Sequence, residues 1–553
     1  LTTSLEDALG RALPGATDHG DGAISFAIYA PGKSSLHVIG SFNDWRMDEP
    51  MRDRGGGYWV TSRMLPAGRC EYQFVIDGQM VVCDPYAQEI AAVDDGPPRA
   101  VLDVGRGIYR WRHDGWQRPA LGDLVLYETH IGDLTPEGTF QAAIGKLDYL
   151  ADLGINALEV MPLYEGSPGD YWGYQPEYFL APRRDYGTFG DLVRFVDECH
   201  ARGMAVILDL VVAHTSPQHP FAQMYPFDQS PWYGRGLGEV NQFGMPTLDY
   251  SKPPTNAFVR DVQSYWLRVF HIDGFRYDYL IGIGSDDYGR GVPHLMRAAR
   301  DIQPDAYLIG EALPEQPELI NNSELGACWH GRMPLALETL LCQRDSAAYK
   351  RDDFRGAVSA FDPATQDYRA ATMMVNYAET HDEQRLAKRL QECCDAQPSA
   401  TDRAALAITA LMTAPGEPML YHGQEFGQSS PRNLQANKLS WELLDTPAGA
   451  GLHEHARRMI RLRHSRASLR NGSFRFAEVD PQRRLAVFHR RRGELDQAAV
   501  AMNFSANHQR VAVPLPQGGL WHDFFTGRIY EAGDSIQADL GPWRAAVFLT
   551  GVS

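Results

Sequence analysis

The 553-residue chain has few cysteines, no long apolar run and no surplus of positive charge, and each shortage removes a class of protein. Its seven cysteines (Cys70, Cys83, Cys199, Cys328, Cys342, Cys393 and Cys394) are odd in number and form no CxxC pair. A disulfide framework or a paired-cysteine metal site is therefore not expected. They read as reduced, buried thiols; Cys199 shares the apolar face of a helical pattern with Leu192, Phe195 and Val196. No segment approaches the about 20 apolar residues of a membrane helix, and Met204–His214 is interrupted by Asp209. Lys and Arg number 52 against 70 Asp and Glu, a formal net charge of -18. That balance argues against a sequence-independent grip on nucleic-acid phosphates. No basic start followed by an apolar stretch marks a secretion signal, so a cytoplasmic location is expected over a secreted one.

What is present is ordinary for a soluble protein, with 44% hydrophobic and 22% charged residues and length enough for several domains. Residues 1–20 carry little pattern and read as an N-terminal arm. Over 21–105 short alternating runs, separated by Gly, Pro, Asn and Asp, predict a small all-β sandwich. Residues 106–123 read as a connector. From Leu124 to residue 468, apolar strands alternate with helical segments: LVLYETH, INALEVMP, MAVILDLVVAH, IDGFRYD, YLIGEA, MMVNYAE and PMLYHGQE. Ile144, Leu147 and Ala151 space one helix ending at Gly154, and Thr188–Arg202 reads as another ending at Gly203. This rhythm predicts an α/β fold, a (β/α)8 TIM barrel, and no Gly-rich phosphate loop suggests a doubly wound sheet instead. Segment 215–252 is a long insertion after strand three, rich in aromatics. Its Tyr225, Phe227, Trp232 and Tyr233 could line a groove or form the insertion's own core. A helix bearing Leu452, Ala456, Met459 and Ile460 on one face closes the barrel, and alternation over 469–553 predicts a C-terminal β-sandwich.

Polar residues at the C-terminal ends of barrel strands face the active site of such a fold. Here those ends supply Asp209 and His214, then Arg276 and Asp278, then Glu311, then His381 with Asp382. Any one could be a structural cap or a buried ion pair; together they make a site. The set contains no soft metal ligands, no Ser–His–Asp order and no phosphate cradle, and paired carboxylates suit acetal chemistry. Arg276, two residues before Asp278, is expected to hold that carboxylate ionised for nucleophilic attack. Glu311, beside apolar Ile309 and Ala312, is expected to keep a raised pKa and act as an acid.

The segments Asp209-Leu-Val-Val-Ala-His214, Gly274-Phe-Arg-Tyr-Asp278, Ile309-Gly-Glu311 and Thr380-His-Asp382 resemble the four conserved regions of the α-amylase family, glycoside hydrolase family 13. Met245–Tyr250 and Gly154–Pro162 resemble two further regions of that family. The resemblance implies Asp278 as nucleophile, Glu311 as acid/base and Asp382 as the third carboxylate, gripping sugar hydroxyls. It implies that His214 and His381 bind the sugar at the cleavage point, that Arg276 orients Asp278, and that Tyr174 of Trp172-Gly-Tyr174 stacks beneath the ring. Asp209 is implied as a supporting residue. Tyr164, Tyr171 and Trp172, which follow strand two, are candidates for substrate contact by their position. No nucleotide or other cofactor is implied. The family's usual calcium ligand, an Asn before the first-region His, is replaced by Ala213, so that metal site is not expected.

The N-terminal sandwich resembles a family 48 carbohydrate-binding module through Gly40-Ser-Phe-Asn-Asp-Trp45, Tyr58-Trp59, Tyr72–Gly78 and Asp84-Pro-Tyr86. Trp45 and Trp59 could be glucan platforms or sandwich core. The reading of function is a retaining α-glucan hydrolase of amylase or maltogenic type, acting on starch, glycogen or maltooligosaccharides as monomer or homodimer. A branching transferase, a trehalose-releasing or debranching hydrolase, and a non-catalytic glycogen-binding protein stand as alternatives. Hydrolase and transferase share one covalent intermediate, and the motifs do not encode whether water or a sugar accepts it.

Overall fold

The computed structural model describes residues 14–551 apart from 49, 95, 108, 235–239, 284–290 and 394–396. Eight parallel strands close into a barrel: β1 (Leu126–Thr129), β2 (Ala157–Val160), β3 (Ala205–Leu210), β4 (Gly274–Tyr277), β5 (Tyr307–Gly310), β6 (Ala327–Trp329), β7 (Met374–Asn376) and β8 (Glu417–Tyr421). Closure is made where Leu126 of β1 pairs with Met419 of β8. Every strand residue is buried, as expected of parallel strands covered by helices. Gly274 opens β4 where a Cβ would meet the Tyr307 backbone of β5, so no larger residue allows that approach.

Alternation along the strands sorts their side chains. Leu126, Ala157, Ala205, Ile207, Ile309, Ala327, Trp329, Val375 and Met419 form one apolar cluster inside the barrel. The intervening Tyr127, Leu158, Val206, Leu208, Phe275 and Leu308 join the large outer core under the helices. Because the side-chain period is two, the inward list continues upward through Glu128, Glu159, Asp209, Asp278 and Glu311. This is the physical reason that charge collects at one mouth.

Seven of the eight strands coincide with the apolar runs seen in the sequence. The eighth, β6, is only Ala-Cys-Trp and offers too few residues for a periodic signal. The helix expected across Ile144 and Ala151 is two helices, Phe140–Ile144 and Leu147–Leu153, parted at Gly145. Gly154 at φ 100° does end the second. Phe189–His200 begins at a Thr188 capping box, with Asp191 as the reciprocal partner.

The N-terminal strands lie in two sheets, one carrying Ala23–Tyr29 and Tyr58–Met64, the other Leu36–Gly40, Gly68–Ile76 and Arg99–Val104. The expected arm is shorter than read, because Gly15–Asp18 pairs with Ala23–Tyr29; residues 1–13 lie outside the described residues. A six-stranded sheet and a two-stranded sheet make up the C-terminal region. Cys83, Cys199, Cys328 and Cys342 are buried, Cys70 and Cys393 half-buried, and Cys394 lies outside the described residues. Among the described residues no helix is long and apolar enough to cross a membrane.

Candidate functional site

Arg276 is the hub of the barrel mouth. Its side chain is fully buried, and its Nη1 reaches Asp209 Oδ1 at 2.8 Å and Asp278 Oδ1 at 2.9 Å. Its Nη2 lies 3.0 Å from Glu311 Oε2. The guanidinium rests on the Trp329 ring, 4.0 Å from its centroid, and Trp329 Nε1 donates to Glu159 Oε1 at 3.0 Å. Backbone bonds prolong the ladder past the strand ends: Asp278 N donates to Leu210 O and Glu311 N to Tyr277 O. The Tyr279 N–H donates to Glu311 Oε2 at 2.9 Å, and at φ 47° the chain turns sharply just after this donor.

One cation thus faces three carboxylates, and the excess negative charge has a consequence for protons. Burial, and then the charge of Glu311, push the Asp278 carboxyl well above the usual range, against the pull of Arg276. The expectation that Arg276 would keep Asp278 ionised is corrected here, because that guanidinium is divided among Asp209, Asp278 and Glu311. Two negative charges side by side are thereby disfavoured at Asp278.

Two histidines flank the carboxylates in opposite states. His214 Nε2 meets the Tyr174 carbonyl at 2.9 Å, and burial lowers its pKa. His381 Nδ1 lies 2.6 Å from Glu128 Oε1, and its Nε2 lies 3.6 Å from Asp382 Oδ2. Burial opposes its charge, yet Asp382 and Glu128 carry its pKa up to about 10. Asp382 also meets Arg432 Nη2 at 3.6 Å and is the most exposed of the acids, 46% against 14% for Asp278 and Glu311. Burial would raise its pKa, but His381, Arg276 and Arg432 more than offset this and lower it. The Tyr174 hydroxyl donates to Asp209 Oδ2 at 2.5 Å, and its ring stacks on His381 at 5.0 Å.

These groups open on a cavity of about 430 Å³ whose walls include Trp172, Tyr174, His214, Asp278, Glu311 and Asp382, with Phe243 and Leu434 at its rim. Eight of the nine residues singled out in the sequence (Tyr174, His214, Arg276, His381, Trp172, Asp278, Glu311, Asp382) line it or, for Arg276, touch its acids directly. Asp209 is reached through Arg276 and Tyr174. Tyr171 lines the cavity with its hydroxyl on Asp133, but Tyr164 is fully buried and accepts the Val211 N–H, so it contacts no substrate. The aromatic insertion resolves as core: Phe221 stacks on Trp232 at 3.6 Å, and Tyr225, Trp232 and Tyr233 are buried, with Phe227 packed on Tyr233. Glu128, Glu159 and Trp329 were missed; the first two follow from the period-two rule applied to β1 and β2, whereas Trp329 sits on the strand too short to read. Position 213 presents a buried methyl and no side-chain oxygen, so it does not fit a calcium ion held through that side chain.

Comparison with known proteins agrees with this layout. Residues 113–233 and 232–461 match the family model for the alpha amylase catalytic domain, and residues 27–105 that for the glycogen recognition site of AMP-activated protein kinase. A malto-oligosyltrehalose trehalohydrolase of Deinococcus radiodurans is 34% identical over 50% of this chain and 45% of that protein, so the match spans less than half of the relative's length. A 1,4-alpha-glucan branching enzyme of Xanthomonas campestris is 27% identical over 91% of this chain and 74% of its own. A pullulanase of Paenibacillus barengoltzii, solved with maltotetraose, superposes with a TM-score of 0.81 at 21% identity, covering 98% of this chain and 95% of that one; this likeness speaks to fold alone. With its matched segments spanning most of the barrel and the acids at the barrel mouth, the chain belongs to the α-amylase family, glycoside hydrolase family 13.

Proposed function

We propose that the protein is a retaining α-1,4-glucan branching transferase, working through a glucosyl ester on Asp278. The observation that carries the chemistry is the pair of carboxyls bound to one guanidinium, Asp278 on Nη1 and Glu311 on Nη2. That arrangement supports the close spacing, about 5–5.5 Å, of a retaining pair over the wider gap that must admit a water. In the first step Asp278 attacks the anomeric carbon, while Glu311 gives its proton to the departing glycosidic oxygen. In the second, Glu311 takes the proton of an acceptor hydroxyl, whose oxygen displaces Asp278 and restores the configuration. Asp382 and the His381 cation hold the hydroxyls of the sugar being transferred, and Tyr174 supports its ring. Phe243 and Leu434, both more than half exposed at the rim, offer apolar surface to an acceptor chain. Transfer is favoured over plain amylase action by the similarity to a branching enzyme along 91% of the chain. A trehalose-releasing hydrolase is the second reading, favoured by the 34% identity over half the chain.

The test is a proton NMR time course on amylose and on trehalose-capped maltooligosaccharide, with Asp278→Ala as control. New α-1,6 signals at constant reducing ends are expected. Free trehalose from the capped substrate would install the second reading, and growing reducing ends on amylose would restore the amylase reading. Silence on both substrates would overturn all three.

A further inference from the structure

Glu128 is the last inward-facing residue of β1, two residues above Leu126. We infer that Glu128 is a positioning residue that binds the Nδ1 proton of His381 and so fixes this ring as a two-donor cation, its Nε2–H presented to the sugar at the cleavage point. The inference rests on the reading of the mouth as a glycosyl-transferring site.

The geometry leaves little choice of tautomer. Burial raises the Glu128 carboxyl while the His381 and Arg276 charges pull it down; in its ionised form it only accepts, so that Nδ1, 2.6 Å from Oε1, carries the proton between them. Nε2 faces a second carboxylate, Asp382 Oδ2 at 3.6 Å, and a lone pair there would face negative charge. The side chains of Glu128 and His381 are both 2% exposed, so neither charge has water to fall back on. An unpaired carboxylate this deep is costly, whereas the pair satisfies both. Glu128 Oε2 has no hydrogen-bond partner among the described residues, which leaves the imidazolium as its principal counter-charge.

Other groups bear on the ring from every side. Arg276 on β4 and His422 after β8 oppose its charge, and Arg432 competes for Asp382. Asp209, Glu159 and Glu383 lie near enough to Glu128 to add negative potential. The balance leaves His381 protonated, its pKa lifted to about 10 by Asp382 and Glu128 against burial. Aromatic walls hold the ring in place: Tyr174 stacks on it at 5.0 Å and Trp172 meets it edge-on at 5.2 Å. A cation on the Tyr174 face gains from the ring quadrupole as well. His214, across the cavity, has only a carbonyl partner and stays neutral, so the two histidines are not interchangeable.

The experiment replaces Glu128 by Gln, which still accepts from Nδ1 but removes the charge. Imidazole NMR on the substrate-free protein, with the His381 signal assigned by its loss in His381→Asn, reads protonation without assuming any substrate. His381 of the unaltered protein should remain charged beyond pH 8, and in Glu128→Gln its titration should fall by about three pH units, to about 7 or below. On whichever glucan the protein turns over, kcat/KM of Glu128→Gln should drop at least about tenfold on raising pH from 6 to 8, while the unaltered enzyme stays flat. Glu128→Asp, which restores the charge, should restore the flat profile even with a lower kcat, and serves alone if the Gln variant does not fold. A His381 titration near 6.5 in the unaltered protein, equal titrations in both proteins, or a loss of activity equal at every pH would overturn the assignment. Since the NMR arm needs no turnover, failure of the glucan reading would show as inactivity with the titration shift intact.

Discussion

The two ends of the barrel each bury a cluster of opposite charges, and only one of them is a site. At the mouth, Arg276 is outnumbered by Asp209, Asp278 and Glu311 and opens on a cavity. At the floor, Glu417 begins β8 near two buried cations, Arg463 of the helix Pro447–Ser465 and Arg490 of the strand Leu485–Arg492. Those cations are spent on backbone: Arg463 Nη1 donates to Met412 O and Ala414 O at 3.1 Å, and Arg490 Nη1 to Thr413 O at 2.8 Å. These are the last two carbonyls of the helix Gln397–Thr413 and the one just after it, where the helix dipole favours positive charge. Glu417, Arg463 and Arg490 are all fully buried. Burial and charge therefore do not by themselves mark function; a surplus of acid beside accessible space does.

The sharpest way to break this comparison is to neutralise one acid at each end. Asp278→Asn should cost on the order of 10⁴-fold or more in kcat/KM, as expected for a lost nucleophile. Its melting temperature should hold or rise, because a carboxylate crowded by Glu311 is removed. Kinetics beside calorimetry check both halves, and a kcat/KM kept within about twofold would place Asp278 in the same class as Glu417.

Glu417→Gln should instead leave turnover within about twofold. Burial pushes the Glu417 carboxyl up to about 8, although Arg463 and Arg490 pull it down. The unfolded chain releases that proton near pH 4.3. The folded state thus binds the extra proton between these values, and the stability this group contributes is full below about 4.3 and lost as pH rises through about 8. The Gln variant lacks this slope, so its melting temperature should exceed that of the unaltered protein at pH 8 by a few degrees and match it near pH 5. Parallel melting curves at both pH values would show that Glu417 keeps its charge.

Much of this contrast was legible in the sequence, and the gaps have physical causes. Strand-end acids announce themselves because the residues around them are apolar and alternate, as in Ala-Val-Ile-Leu-Asp209-Leu or Tyr-Leu-Ile-Gly-Glu311. Glu128 and Glu159 obey the same alternation but sit in Leu-Tyr-Glu-Thr and Ala-Leu-Glu-Val, where nothing distinguishes a buried acid from a solvated one until the barrel closes. Trp329 lies on a three-residue strand, below the length at which periodicity speaks. The rise of the Asp278 carboxyl escaped because it depends on how many carboxyls one guanidinium must serve, a count made only in three dimensions. The aromatic insertion escaped for a similar reason, since composition does not tell a groove wall from a small core.

Within the mouth, Trp329→Phe sharpens the comparison by separating the ring from its N–H. The ring beneath Arg276 survives, but Glu159 loses the donor at 3.0 Å. A lost buried hydrogen bond to a carboxyl costs about 1.5–3 kcal/mol, so about a tenfold fall in kcat/KM is expected if the cost reaches Arg276. Equal destabilisation with unchanged kcat/KM would show that Glu159 and Trp329 serve the fold alone.

The smallest effect is expected at a second arginine–tryptophan stack, on the N-terminal sandwich. Arg99 lies over Trp45 with its guanidinium 4.1 Å from the ring centroid, nearly the spacing of Arg276 over Trp329. Arg99 is 37% exposed and pairs with a single acid, Glu71, at 3.0 Å. Trp59, the other candidate platform, is buried with its indole N–H on Ala30 O and belongs to the core. One face of the Trp45 ring is already covered by a guanidinium that a carboxylate holds in place. Trp45→Phe should therefore change stability by less than about 0.5 kcal/mol, in line with half-exposed surface positions. Retardation in glycogen-containing gels should shift by less than about twofold, because a glucan stacking there would have to displace Arg99 from its acid. A large loss of retardation would show that the covered ring is nonetheless a binding platform, and that a stacked arginine can be a replaceable lid.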